Sequence, residues 1–265
     1  MACRDVYLAQ LNEAIYRTLT NKPKVETDVT GLLFGVNTKT PVFQILQNNL
    51  TEFEWIVRNK VYPNYIGRYI SGENCLTKDE IRFIHRKGCK IAAIYATKNA
   101  KKTEEQGMKV ANDIIKRALE LGIPEGTALF LEIEEKEEAK KAFMKGFAET
   151  LIYCGYTPAF KANTDAMFSF DREFSRGMRS YKEIFENCLI WAVAPTIKEY
   201  DSITTTHLIH PDNWTPFAPS AITRKEIAVW QYGRNCHPIE DEKERLTTFN
   251  LDLVRNGQVI INKMF

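Results

Sequence analysis

Ala128-Leu129-Phe130-Leu131-Glu132-Ile133-Glu134 is an apolar run that ends in two carboxylates placed one residue apart. The side chains of a strand alternate between its two faces, so Glu132 and Glu134 are predicted to emerge on the same face. Helical patterns flank the run, over residues 104–121 before it and 137–153 after it. The order helix, strand, helix predicts a parallel sheet in which a buried strand ends in an acid pair.

Further apolar runs, separated mostly by helical patterns, extend this arrangement along the chain. Eight strands in one domain of this length favour a closed (β/α)8 TIM-type barrel, an α/β fold, over a doubly wound sheet. The doubly wound alternative would need a glycine-rich phosphate turn, and none follows the first strand. A helix is predicted over residues 42–59, and a capping box at 77–80 begins another. The remaining predicted strands are residues 31–37, 65–69, 90–95, 156–161, 188–193, 227–232 and 249–253.

The sequence predicts an N-terminal extension followed by the barrel. Residues 1–28 contain a short amphipathic helix, with leucine and isoleucine at helical spacing, and a linker. Residues 29–265 form the barrel. The helix is expected to pack on the barrel or on a partner, so an oligomer formed through it is left open. The long irregular stretch 194–225 is expected to be functional or mobile.

The composition is that of an ordinary globular protein without a dominant charge. Lys and Arg number 36 against 34 Asp and Glu, a net charge of +2, so neither nucleic acid nor a membrane is expected as a partner. The six cysteines are scattered without a pairing rhythm and are expected to be reduced thiols. No run reaches membrane-spanning length and residues 1–10 lack the layout of a secretion signal. The chain is therefore expected to be cytoplasmic as synthesised, with release by another route left open.

Barrels of this kind carry their active site at the carboxyl ends of the strands. The residues predicted there combine carboxylates with aromatic and amide groups, the set that glycosidic-bond chemistry uses. No cofactor or metal is expected, because His207 and His210 lack a third ligand nearby. The candidates for catalysis are Glu134, Glu132 and Asp252, and the candidates for substrate binding are Asn37, Tyr69, Tyr95, Lys161, Trp191, Gln231 and Tyr232.

These assignments have structural alternatives. Glu132 and Glu134 could instead begin a solvated acidic run that caps the next helix, and Asp252 could serve a turn. Trp191 and Tyr232 could pack the barrel rather than carry a sugar. As a functional pair, Glu132 and Glu134 would repel each other, which would raise one pKa and leave one group protonated near neutrality.

Several short segments, taken together and in order, resemble the bacterial glycoside-hydrolase-like barrel domain of unknown function. That domain is itself similar to the Chalaropsis-type lysozymes, which are muramidases. The resemblance spans about residues 31–253 and implies a barrel that binds or cleaves the glycan of the cell wall, peptidoglycan. The segments that carry it are Gly35-Val36-Asn37, Tyr65-Ile66-Gly67-Arg68-Tyr69, Leu76-Thr77-Lys78-Asp79-Glu80, Ile94-Tyr95, the run 128–134, Val229-Trp230-Gln231-Tyr232 and Asn250-Leu251-Asp252.

The resemblance also implies roles for individual residues. The muramidase motif Asp-x-Glu on the fourth strand, in which Glu is the general acid, places that acid at Glu134 and the preceding acid at Glu132. A further Asp of those enzymes falls on Asn37, which is an amide, and a later Asp falls on Asp252. The expected function is a glycoside hydrolase of the muramidase type. The alternative is a catalytically impaired glycan-binding or structural barrel module, which the amide at Asn37 and the longer acid at Glu132 together favour.

Overall fold

The computed structural model describes residues 32–46, 49–57, 62–197, 202–203, 214–238, 247–255 and 257–265. The predicted N-terminal helix and linker of residues 1–28 lie outside these ranges, as do His207 and His210. The strands are β1 (Leu33–Thr38), β2 (Tyr65–Tyr69), β3 (Lys90–Tyr95), β4 (Ala128–Ile133), β5 (Thr157–Ala162), β6 (Leu189–Ile197), β7 (Ser202–Ile203), β8 (Val229–Pro238) and β9 (Phe249–Val254). The helices are α1 (Glu52–Val57), α2 (Lys78–Arg86), α3 (Glu104–Leu121), α4 (Lys141–Tyr153), α5 (Ser169–Ser180), α6 (Lys182–Phe185) and α7 (Gly257–Ile261).

Within the described ranges, eight strands close into a barrel, which confirms the predicted α/β barrel. Strands β1 to β6 run parallel in sequential order, β6 pairs with β8 in parallel, and β9 closes the barrel between β8 and β1. The short strand β7 lies outside the barrel and pairs with the end of β8.

The last strand departs from the alternating (β/α)8 pattern, because β9 is antiparallel to both β8 and β1. The physical reason is the length of the connection. Strand β8 ends at Pro238 and β9 begins at Phe249, so only residues 239–248 join them. A parallel crossover needs a dozen or more residues, whereas an antiparallel return does not. The amino end of β9 therefore lies at the end of the barrel where the other strands finish.

Two apolar layers follow from the alternation of side chains along each strand. In β3, Ile91 and Ala93 point to the layer between barrel and helices, while Ala92 and Ile94 belong to the cluster inside the barrel. Helix α3 adds Val110, Ala111, Ile114 and Ala118 to the outer layer, as its apolar stripe predicts. Away from the carboxyl ends of the strands, the barrel interior is thus an ordinary packed core.

Two glycines make room for aromatic rings in the barrel interior. A methyl group on Gly35 would lie 2.2 Å from the Tyr65 ring, and one on Gly67 would lie 2.8 Å from Trp191. Tyr65 and Trp191 are both fully buried, and their rings meet edge to face with centroids 6.3 Å apart. The glycines of β1 and β2 therefore allow large side chains to fill the interior.

Helix α1 is much shorter than the predicted helix over residues 42–59. The chain first turns after Pro41, and Ile45 and Thr51 form an isolated antiparallel bridge before the helix begins at Glu52. Asn49 adopts a left-handed conformation with φ of 63°, which no α-helix accommodates. Of the apolar residues before Glu52 that had the spacing of a helix, Val42 and Leu46 are buried, whereas Phe43 and Ile45 are exposed.

The predicted capping box at residues 77–80 forms only in part. The Thr77 hydroxyl accepts a hydrogen bond from the Glu80 amide at 3.2 Å, as expected for an N-cap. The Glu80 carboxylate, however, binds the buried guanidinium of Arg68 at 2.7 Å instead of reaching back to the cap. This buried pair fixes α2 against β2, because a charge in the interior must be compensated.

No helix among the described residues is long and apolar enough to cross a membrane.

Candidate functional site

A cavity of about 410 Å³ opens at the end of the barrel where the parallel strands finish. Small-molecule sites commonly have volumes in this range. Its walls come from the ends of most barrel strands and the segments that follow them. The lining residues are Lys39, Tyr69, Glu132, Ile133, Glu134, Glu135, Lys136, Lys161, Asn163, Val193, Gln231, Arg234, Asn235 and Asn250.

The floor of the cavity holds an ion pair between Lys161 and Glu132. These residues face each other on neighbouring strands β5 and β4, and their charged atoms are 2.8 Å apart. The Tyr69 hydroxyl donates to the same Glu132 oxygen at 2.8 Å and lies 3.1 Å from the Lys161 ammonium. The three groups form a compact buried cluster whose charges cancel.

This cluster fixes the protonation of its members. Burial acts to raise the pKa of Glu132, but the charge of Lys161 and the hydrogen bonds from Lys161 and Tyr69 lower it below the usual range. Burial opposes the charge on Lys161, yet Glu132 and Tyr69 raise its pKa above the usual value. Burial is also the main reason that the pKa of Tyr69 rises to about 12. Glu132 is therefore a carboxylate and Lys161 an ammonium, so the rise in pKa expected from mutual repulsion of the acid pair does not occur at Glu132.

Asn37 and Asp252 lie beneath this floor and do not line the cavity. The Asn37 amide donates to the Asp252 carboxyl at 2.8 Å, and its own oxygen accepts from the Asn250 amide at 2.8 Å. The Lys161 ammonium is 3.4 Å from the same Asn37 oxygen. Trp191 donates its indole N–H to the other oxygen of Asp252 at 3.1 Å. Asn37 thus connects the floor to a fully buried acid.

Asp252 is the acid of this site whose ionisation is suppressed. Burial raises its pKa to about 8, although the hydrogen bond from Asn37, the charge of Lys161 and the hydrogen bond from Trp191 act in the opposite direction. The inward orientation predicted for Asp252 is correct, but the carboxyl group is too deep to reach the cavity. The reason is the reversal of β9, which places its amino end, with Asn250, near the mouth.

Glu134 lies just beyond the end of β4, on the wall of the cavity. Its side chain is 55% exposed, and its carboxylate is 3.5 Å from the Lys136 ammonium. Glu134 and Glu132 therefore border the same cavity but in different environments, one at the wall and the other at the floor. The structure therefore places both acids of the predicted pair at the same cavity.

Several predicted binding residues do not reach the cavity. Tyr95 and Tyr232 point away from the barrel interior and pack in the layer under the helices, so their proposed contact with a ligand is not supported. Both occupy outward positions of strands that are apolar on both faces, so the sequence did not reveal their direction. Trp191 faces inward but is fully buried and packs against Phe130 with ring centroids 5.1 Å apart. Gln231 does line the cavity, as Tyr69 and Lys161 do.

The structure adds cavity residues that the sequence analysis did not select. Lys39 places its ammonium 5.6 Å from the centre of the Tyr69 ring, and its charge contributes to the low pKa of Glu132. Asn163, Arg234, Asn235 and Asn250 complete the rim. Most of these residues lie one or more positions beyond the apolar part of a strand. That position is the feature of the sequence that could have identified them as cavity residues. Among the described residues, no group of three His, Cys, Asp or Glu side chains is arranged to hold a metal ion.

Solved structures share this barrel at low sequence identity. A crystal structure of an uncharacterized B. stearothermophilus protein matches with a TM-score of 0.69 and 24% identity, covering 88% of this chain and 100% of that one. The spore cortex lytic enzyme SleM of Clostridium perfringens matches with a TM-score of 0.53 and 12% identity, covering 89% and 69%. The modular autolysin LytC of Streptococcus pneumoniae matches with a TM-score of 0.51 and 10% identity, covering 84% of this chain and 46% of LytC.

Sequence comparison gives the family. Among curated proteins, none matches the chain. Residues 59–245, well over half of the sequence, match the family described as Rv2525c-like, glycoside hydrolase-like domain. This match confirms the resemblance identified from the short segments, and the matched residues include strands β2 to β6 and β8, which carry most of the cavity. The chain belongs to the Rv2525c-like family of glycoside hydrolase-like domains.

Proposed function

We propose that the chain cleaves the glycan of bacterial cell-wall peptidoglycan as a muramidase-type glycoside hydrolase. Glu134 acts as the general acid at the wall of the cavity, and Glu132 is the second carboxylate, at its floor. The observation that carries this proposal is that both glutamates border one cavity at the mouth of the barrel. Two carboxyl groups facing one saccharide are the minimum that acid-assisted glycoside cleavage requires.

The environments of the two glutamates suit different roles. Glu132 is kept ionised by Lys161 and Tyr69, so it supplies a carboxylate oxygen at the floor of the cavity. Glu134 borders the cavity with a side chain that is 55% exposed, so it can approach a leaving oxygen. Polar groups of Tyr69, Gln231 and Asn163 surround them and can bind sugar hydroxyl groups.

The choice of peptidoglycan draws on the proteins that share the barrel. LytC is an autolysin and has been solved with a synthetic peptidoglycan ligand, and SleM is a spore cortex lytic enzyme. We extend that substrate class to this chain because of its family and because its acid pair borders a cavity at the mouth of the shared barrel.

The test is the release of new reducing ends from purified peptidoglycan. We expect activity from the wild-type protein and a loss of at least about 100-fold in Glu134→Gln, since general acid catalysis typically contributes 10²–10⁴-fold. Glu138→Gln is the matched control, because Glu138 is an exposed acid paired with Lys140 and Arg172 outside the cavity. If Glu134→Gln kept the activity of the wild type, that result would contradict the proposal.

A second candidate is a module that binds the same glycan without cleaving it, and the charge balance of the floor favours it. Lys161 neutralises Glu132, the position of Asn37 carries no charge, and Asp252, with a pKa of about 8, is mostly protonated at neutral pH. The floor therefore offers little net negative charge to stabilise an oxocarbenium-like centre.

Calorimetry with soluble muropeptides, followed by product analysis of the same samples, separates the two candidates. A heat of binding that is the same in the wild type and in Glu134→Gln, without new reducing ends, supports the binding module. New reducing ends that accumulate with time support the hydrolase. A protein that gives neither signal with muropeptides contradicts both candidates.

A further inference from the structure

An ion pair at the rim connects two segments that are not neighbours in the barrel. Nη1 of Arg234, on β8, lies 3.3 Å from Oε1 of Glu135, which follows β4. The side-chain amide of Asn163, which follows β5, donates to the same Glu135 oxygen at 3.0 Å. All three residues line the cavity. We refer to Arg234, Glu135 and Asn163 together as the mouth strap.

The strap crosses the opening of the barrel. Going round the barrel, strands β5 and β6 separate β4 from β8, so a contact between Glu135 and Arg234 joins distant points of the rim. Cavity residues lie on both sides of it, with Val193 on the β6 side and Lys39 and Tyr69 on the other. An ion pair in this position divides the space above the floor.

Burial shows that the strap lies above the floor. The side chains of Arg234 and Glu135 are 37% and 38% exposed. On the floor, by contrast, the Lys161 side chain is only 3% exposed, and Gln231 is 2% exposed. A ligand in contact with Lys161 and Gln231 would therefore lie beneath the ion pair.

An irregularity in β8 directs Arg234 over the mouth. The pairing of β8 with β9 shifts register between Gln231 and Gly233 and again between Gly233 and Cys236. Asn235 adopts a left-handed conformation with φ of 48°. Bulges of this kind re-aim a side chain and are frequent beside binding sites. The position of Arg234 is thus built into the strand and does not depend on the ion pair alone.

The bulge is also tied to the buried network under the floor. The backbone N–H of Asn235 donates to the side-chain oxygen of Asn250 at 2.8 Å, and the side-chain amide of Asn250 donates to the side-chain oxygen of Asn37 at 2.8 Å. Gly233 packs closely against β9, since a methyl group there would lie 2.9 Å from the Leu251 side chain. The hydrogen bonds that run from Asn235 through Asn250 to Asn37 therefore hold the strap in place from the side of the floor.

We propose that the mouth strap makes the site prefer short saccharides and chain ends over the interior of long glycans, with Arg234 as the specificity-determining residue. The proposal rests on the glycan function proposed above. A saccharide terminus can enter beside the strap, whereas the interior of a continuous chain can lie on the floor only after the Arg234–Glu135 pair has separated. Because the pair is partly exposed, separation imposes a modest penalty and not a complete block.

The experiment compares two probes in wild type and in Arg234→Ala and Glu135→Ala. The probes are a tetrasaccharide of alternating N-acetylglucosamine and N-acetylmuramic acid, and long peptide-free glycan strands of the same repeat, with affinities measured by calorimetry. We expect either substitution to raise the affinity for long strands by about threefold, the effect of removing one exposed ion pair, and to change tetrasaccharide affinity less than twofold.

The control is Arg172→Ala, which removes an arginine from an exposed pair with Glu138 outside the cavity and should change neither affinity. Thermal unfolding checks that every variant folds. An unchanged ratio of long-strand to tetrasaccharide affinity in both strap variants would overturn the strap proposal alone. Absence of binding to both probes by every protein would overturn the glycan function, and the strap proposal with it.

Discussion

Lys161 places a positive charge inside the barrel, in contact with three partners. Its ammonium is 2.8 Å from Glu132, 3.1 Å from the Tyr69 hydroxyl and 3.4 Å from the Asn37 oxygen. It also lies 5.6 Å from the centre of the Trp191 ring. A buried charge is tolerated only when its partners compensate the loss of water, and removing one partner of such a pair exposes that cost.

Lys161→Met should therefore destabilise the fold. We expect the free energy of unfolding to fall by about 3 kcal/mol, because Glu132 is left in the interior without its counter-ion. The pKa of Glu132 should rise, since the ammonium that lowers it is gone. Urea denaturation measures the loss. The double variant Lys161→Met/Glu132→Gln should recover part of it, and a double variant no more stable than the single one would contradict this account.

Asp252 should make stability depend on pH. In the unfolded chain its pKa is near 3.8, whereas burial raises it to about 8 in the folded protein. As pH rises from about 4 to 8 the unfolded state loses a proton that the folded state retains, so this residue's contribution to stability is lost as the pH rises.

Asp252→Asn removes that ionisation. We expect the free energy of unfolding of the wild type, relative to the variant, to decrease by at least about 1 kcal/mol between pH 5 and pH 8. The comparison of the two proteins at each pH cancels other titrating groups, such as Glu52, whose pKa burial raises to about 7. A difference between the two proteins that stays constant with pH would show that Asp252 is ionised throughout.

The residues that the sequence placed well are those next to a clear change of polarity along a strand. Glu132 and Glu134 follow an apolar run, and the alternation of faces brings Lys161 opposite Glu132 across the β4–β5 pairing. Tyr95 and Tyr232 were misplaced because a strand covered by helices outside and packed inside is apolar on both faces, so its parity cannot be inferred from hydrophobicity. The pairing of Glu132 with Lys161, and not with Glu134, depends on the register of two separate strands.

Strand β1 packs against the Tyr65 ring of β2 at Gly35, where it has no side chain. The three atoms nearest to a methyl group placed on Gly35 would all belong to the Tyr65 ring, the closest at 2.2 Å. Tyr65 is fully buried and is opposite Gly35 in the pairing of β1 with β2. The two residues are thus a matched pair of small and large side chains.

Gly35→Ala should cost about 2 kcal/mol of stability, because overpacking forces the ring or the strands to shift. In a Tyr65→Leu background the same substitution should cost less than half as much, since the atoms that it meets are absent. A double-mutant cycle by urea denaturation gives both values. Equal costs in the two backgrounds would mean that the clash is relieved by backbone movement and not at the ring.

Elements with strong local signals were predictable, and those decided by distant contacts were not. Helix α3 has a complete apolar stripe, and its observed bounds of Glu104–Leu121 agree with the prediction. The segment before α1 has the same kind of spacing but is interrupted by the left-handed Asn49. The orientation of β9 was not predictable from its own residues, because connection length, and not strand composition, decides between parallel and antiparallel return.

The C-terminal segment, residues 257–265, covers the end of the barrel opposite the cavity. Ile91 and Phe265 exchange backbone hydrogen bonds of 2.7 and 3.2 Å, and the Ala128 amide donates to the Lys263 carbonyl at 2.7 Å. Ile260 and Met264 belong to the cluster inside the barrel. The segment thus provides backbone hydrogen-bond partners at the starts of β3 and β4, and it covers the apolar core inside the barrel.

Deletion of residues 257–265 should disrupt the barrel even though the cavity is at the other end. We expect loss of the cooperative unfolding transition, or a decrease of several kcal/mol in the free energy of unfolding, because apolar interior surface and backbone amides become exposed. Circular dichroism during thermal unfolding measures this. Val259→Ala, at a position 66% exposed, should leave the transition unchanged. A deletion variant that unfolds like the wild type would show that the segment is dispensable.

The reversed direction of β9 has a consequence for how such sites can diversify. Because β8 finishes at the rim and β9 starts from it, the connection over residues 239–248 is attached at both ends beside the cavity. A longer or shorter connection would change the shape of the cavity entrance. The Lys161–Glu132 ion pair and the amides of Asn37 and Asn250 would keep their positions on the strands. Natural variants of this barrel are thus expected to change their ligand range by insertions in this connection.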